Sequence, residues 1–112
     1  HELFEEHALT KSGWQFQRTT GTMARQFVPV TCPPTLTNRH IVEMLELENI
    51  EARTYFRPTC HQQPHFSSLP RMPLQITESV AERILSLPLW EEMAHTDVTR
   101  VVSVLSAACA EL

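Results

Sequence analysis

Between Arg57 and Pro73 the chain carries four prolines, at positions 58, 64, 70 and 73, set among Cys, His, Gln and Ser. Each proline removes a backbone donor and fixes φ, so neither a helix nor a sheet ladder can run through this stretch. The segment must be a long loop, and loops of that length in a compact domain are commonly functional. Pro33-Pro34 and Pro88 add further stops, and the regular elements have to fit between them.

Before the first stop, Leu3, Phe4, His7 and Ala8 recur at helical spacing and Gly13 can end a helix over residues 1 to 12. Trp14 and Phe16 alternate with polar neighbours and predict a short extended piece, followed by a loop from Thr19 to Thr22. Arg25 to Cys32, rich in β-branched and aromatic residues, predicts a strand that the two prolines end. Asn38 can cap a helix reaching about Glu48, with Ile41, Val42, Met44 and Leu45 inward and Arg39 and Glu43 paired on the wet side.

Ala52 to Phe56 predicts a second strand, joined to the first by a right-handed crossover if the two are parallel neighbours. Beyond the loop, Thr77 can cap a third helix with Glu78 at its positive end. There Val80, Ala81, Ile84 and Leu85 would pack inward as far as Pro88. Leu87-Pro88-Leu89-Trp90 follows as an apolar tether, with Trp90 expected as a core anchor. A last helix from Thr96 or Asp97 places Val98, Val101, Val102, Leu105, Ala108, Cys109 and Leu112 on one face. The expected fold class is α+β, an α/β sandwich in which helices cover a small sheet.

At 112 residues and 42% hydrophobic, the chain fits one domain and should bury roughly two-thirds of the surface its unfolded form exposes. One lysine and eight scattered arginines against a net charge of −4 leave no basic stripe for a nucleic acid. No uncharged apolar run is long enough to cross a bilayer, and HELFEEHALT lacks the regions of a signal peptide, so a cytoplasmic protein away from membranes is expected. Three widely spaced cysteines, Cys32, Cys60 and Cys109, suit reduced thiols. Two glycines, Gly13 and Gly21, cannot build a glycine-rich phosphate loop. Cys60, His61 and His65 suggest a metal at first sight, but two of them are adjacent and no spaced second pair follows, so no metal site is expected.

The segment NIEARTYFRPTCHQQPHF, residues 49 to 66, resembles the DegT/DnrJ/EryC1/StrS family of pyridoxal-phosphate-dependent sugar aminotransferases. That family shows a glycine-isoleucine turn, an aromatic strand, then proline and histidine. ITESVAERILSLPLWEEM, residues 76 to 93, is similar to the helix and Leu-Pro-Leu tether of its C-terminal small domain. The resemblance covers about Arg25 to Leu105. Residues 25–112 are thus expected to be that small domain, with residues 1–24 a helix and connecting segment of weaker likeness. Asn49 replaces the family's glycine, which it can do because asparagine tolerates a left-handed backbone. Thr59-Cys60 replace its common proline-leucine.

The resemblance implies a bacterial fold-type I enzyme whose large domain holds the Schiff-base lysine and the cofactor. Only Lys11 could serve here, and it reads as a solvated lysine, so no catalytic residue and no bound pyridoxal phosphate are expected for this chain alone. The resemblance places His61 at the active-site entrance beside a nucleotide-sugar; a loop histidine can equally cap a neighbouring carbonyl. Tyr55 and Arg57 are the other substrate-side candidates, with either Tyr55 or Phe56 expected to pack in the core and Arg57 able to clasp a phosphate or a surface carboxylate. Two readings follow. One is a fragment or isolated domain of a sugar aminotransferase, not catalytic, whose partner is a large domain or a second copy in a dimer. The alternative is a stand-alone ligand-binding or protein-interaction domain that kept this fold.

Overall fold

Three antiparallel strands and three helices make up the computed structural model, which describes residues 8–111. The strands are β1 (Gln15–Phe16), β2 (Val28–Thr31) and β3 (Ile84–Leu87), in the order β1-β2-β3. The helices are α1 (Asn38–Leu47), α2 (Gln75–Ala81) and α3 (His95–Ala110). The α+β class is as expected. The helix expected over residues 1 to 12 lies largely outside the described residues, and residues 8–13 form turns.

β2 pairs with β3 antiparallel, Val28 opposite Leu87 and Thr31 opposite Ile84. Ser86 gives both its N–H and its C=O to Arg53, at 2.7 and 3.1 Å. Pro29, opposite Ser86, therefore occupies a non-hydrogen-bonded position in the β2–β3 ladder, where its missing N–H costs no bond. The strand predicted from Ala52 to Phe56 reduces to this single Arg53–Ser86 bridge, and it is antiparallel, so the parallel crossover does not form.

The largest correction falls at residues 84–87. The helix expected to run to Pro88 stops at Ala81, and Ile84–Leu87 is a strand. ILSL is a short apolar run that periodicity cannot divide between strand and buried helix, and its Leu85, Ser86 and Leu87 are all buried. Thr77 lies inside α2; the cap position is Leu74, without a side-chain bond.

α1 shows how local sequence sets the element ends. Thr37, not Asn38, is the N-cap, its Oγ1 accepting from the His40 N–H at 3.4 Å. At the other end Ile50 N–H reaches Leu45 O and Asn49 N–H reaches Glu46 O, both at 2.9 Å. This is a Schellman closure, with Asn49 left-handed at φ 55° and Ile50 packing beside Leu45. Arg100 of α3 donates from Nη2 to Glu48 O and so caps the same helix end from its neighbour.

One core holds the layers together. Leu9 and Trp14 from the N-terminal turns join Val30 of β2, Cys32 just beyond it, Ile41 and Leu45 of α1, Leu85 of β3, and Val102, Leu105 and Ala108 of α3. Gly13 sits at φ +97° against Pro33, whose Cβ lies 3.4 Å from where a side chain would start. Pro33 thus serves as packing surface as well as a stop.

Candidate functional site

The proline-bounded loop leaves Arg53 as a chain without ladder partners and folds into two short 3-10 turns, Cys60–Gln62 and Pro64–Phe66. Pro64 opens the second turn, where its lost donor would have had no partner. The Tyr55–Phe56 and Arg57–Pro58 peptide bonds are cis. Chemistry-bearing side chains gather where this loop meets α1 and α2.

His61 is the best-held of them. Its Nε2 lies 2.8 Å from Glu78 Oε1 and its Nδ1 3.2 Å from Thr59 Oγ1, which itself donates to Gln62 Oε1 at 2.8 Å. Only 10% of the His61 side chain is exposed, against 41% of Glu78. Both ring nitrogens have partners within the chain. Glu78 stands in the first turn of α2, where a carboxylate is favoured, and from there reaches back to the loop. Arg71 Nη1 donates to His61 O at 2.9 Å, closing the loop on itself. Cys60, His61, Phe66, Leu69, Pro70 and Arg71 line a small hollow of about 260 Å³.

Arg57 points elsewhere, donating from Nη1 to Asn38 Oδ1 at 3.2 Å beside a groove of α1. Tyr55 stacks on Phe56, with ring centroids 5.1 Å apart, and meets Phe27 at 5.6 Å. Together they line an open cleft of about 770 Å³ with Leu89, Trp90 and Met93. The three substrate-side candidates thus face three separate hollows.

Two expectations about aromatic residues need correction. Neither Tyr55 nor Phe56 packs in the core, being 41% and 78% exposed, because the chain bends away from β3 after the single Arg53 bridge. Trp90 is half exposed rather than a core anchor. The tether follows a strand, not a helix, and carries the indole to the rim of the cleft. Sequence reasoning also missed Asn38, which is fully buried, and the pairing of Glu78 with His61. A Thr directly before Asn38 was the signal that another residue could take the cap.

A pyridoxal-phosphate site needs a lysine held against the cofactor and a cradle of backbone donors for its phosphate. Lys11 is exposed on the turn over residues 8–13 and lines none of the hollows described. Nothing stands within 4 Å of a Cβ at Gly21, so no close backbone approach is built there. The described residues do not fit the cofactor. Among them, no three His, Cys, Asp or Glu side chains cluster to hold a metal, and no helix is long and apolar enough to cross a membrane.

The described residues thus form an antiparallel sheet of three strands with helices packed on a shared core and a loop pinned through His61. The sequence profile of the DegT/DnrJ/EryC1/StrS aminotransferase family matches residues 3–106, and the chain belongs to that family. A Bacillus cereus protein described as a PLP-dependent aminotransferase superposes with a TM-score of 0.86 at 41% identity, covering 93% of this chain and 28% of its own. DesI, solved in the presence of its TDP-sugar product, superposes at 0.84 with 28% identity, covering 97% of this chain and 29% of its own. The Mycobacterium tuberculosis protein Rv3402c is 29% identical over 104 residues, 89% of this chain. The chain spans about a quarter of the length of the curated relatives it matches.

Proposed function

We propose that this chain is the C-terminal small domain of a nucleotide-sugar aminotransferase, that it does not catalyse transamination alone, and that it contributes the loop around His61 to the substrate side of the complete enzyme. The observation that carries this reading is the superposition on the B. cereus aminotransferase, which takes in nearly all of this chain and little more than a quarter of that one. The misfit of Lys11 to a cofactor supports the non-catalytic part.

In this reading His61, Tyr55 and Arg57 serve the substrate in different ways. His61, with both nitrogens engaged, shapes the loop and presents its ring edge to the hollow shared with Phe66 and Arg71. Tyr55 offers an exposed ring for stacking. Arg57 keeps free donors of its fork beyond the one given to Asn38. The likeness to DesI, seen with a TDP-sugar, supports a nucleotide-sugar as the substrate class. The exposed Tyr55, Phe56, Leu89 and Trp90 support a covering partner, either a large domain or a second copy. The reading places the protein in the cytoplasm of a bacterium.

Incubation with pyridoxal phosphate, borohydride reduction and mass analysis of the lysine peptide test it. The expected result is no stoichiometric adduct; full labelling of Lys11 overturns the non-catalytic reading.

A further inference from the structure

One buried side chain touches both fastenings of the proline-bounded loop. Asn38, the first residue of α1, is completely buried. Its amide nitrogen donates to Ala81 O and Ile84 O, both at 2.8 Å, and its Oδ1 accepts from Arg57 Nη1 at 3.2 Å. Ala81 ends α2, Ile84 begins β3, and Arg57 opens the loop. The Asn38 backbone N–H adds a bond to Glu82 O at 2.9 Å. Glu78, one turn before those carbonyls on α2, then holds His61.

We propose that Asn38 is a positioning residue for the loop, setting its entrance directly through Arg57 and its His61 turn indirectly through α2 and Glu78. The role in function rests on the reading of this loop as substrate-facing. α2 has no buried residue of its own, so packing alone does not fix it; its polar ties to Asn38 and His61 do. The chemistry asks for an amide. From one place Asn38 gives two N–H bonds and accepts a third, a combination that neither a carboxylate nor an aliphatic side chain can supply. Aspartate would keep Arg57 and turn an oxygen toward two carbonyls. It therefore separates the two fastenings.

Amide hydrogen exchange on the 112-residue chain tests this without reference to cofactor or substrate. In N38D, exchange at Glu82, Arg83, Gln62, Gln63 and Phe66 should rise about tenfold, roughly the effect of losing one strong hydrogen bond, while Val102 and Leu105 of α3 keep their rates. E78A should free the loop amides alone, and E78Q, which can still bond His61, should restore them. A uniform rise across α3 as well would make Asn38 a general stability residue and overturn the proposal, as would loop amides that stay protected in folded N38D or E78A. If N38D does not fold, E78A and R57M decide on the same amides. Labelling of Lys11 would sink the proposed function and leave this result standing.

Discussion

The indole Nε1–H of Trp14 donates to the Sγ of Cys109 at 3.0 Å, which ties the turns before β1 to the last turns of α3. Trp14 is fully buried, and bulk and bond both matter there. W14A should cost ~3–5 kcal/mol, the range for truncating a buried large aromatic. W14F, which keeps most of the bulk and loses the donor, should cost on the order of 1 kcal/mol. Urea denaturation followed by circular dichroism measures both; equal losses would mean the bond carries the contact and the bulk does not.

The two ends of α1 give a paired prediction. T37A removes the side-chain acceptor for His40 and should cost about 1 kcal/mol. N49A places a Cβ without a compensating polar group at φ 55° and should cost about 1–2 kcal/mol, whereas N49G should be close to neutral. Thermal melts of the three variants would show it, and an N49A as stable as the parent would contradict the left-handed closure.

Cys32 is buried, and burial pushes its thiol up from 9.0 to about 11, partly offset by the nearby Arg83. The protonated thiol is the form the fold favours, so between those values the unfolded chain loses the proton first. Stability from this group is complete below pH 9.0 and is lost as pH rises toward about 11, at ~1.4 kcal/mol per pH unit. C32A should flatten the alkaline limb of the stability curve. Alkylation with iodoacetamide at pH 8 should label exposed Cys60 and spare Cys32 until the chain unfolds.

Association should follow the aromatic cleft. Phe56 is largely and Trp90 half exposed on one open hollow, and sedimentation velocity of the isolated chain is expected to show concentration-dependent self-association. The F56S/W90S double variant should sediment as a monomer. A parent chain that is monomeric at all concentrations would remove self-association from the proposed function.

What the sequence made legible was local. The amphipathic faces of α1 and α3 and the stop at Pro33 follow from residue spacing and turn chemistry, the left-handed Asn49 from the family resemblance, and they stand in the structure. Ile84–Leu87 did not follow, because its strand identity comes from β2, supplied far back along the chain. The same reason hid Asn38. As a surface cap its sequence context is ordinary, and its three side-chain partners all lie at least 19 positions away. Of the candidate site, the loop was legible in its prolines, while His61 was singled out by the family resemblance. The division of Tyr55, Arg57 and His61 among separate hollows was not, since it depends on where the chain bends after Arg53.

The pairing of β2 with β3 also sets an order of events in time. While the chain is being made, β2 emerges long before β3, with α1, the whole proline-bounded loop and α2 still to come between them. Until Ile84–Leu87 leaves the ribosome, the central strand has no ladder on that side. The sheet that supports the loop is therefore completed only after the loop itself exists, and folding of this domain must be a late, collective step rather than a stepwise growth from its N-terminal end.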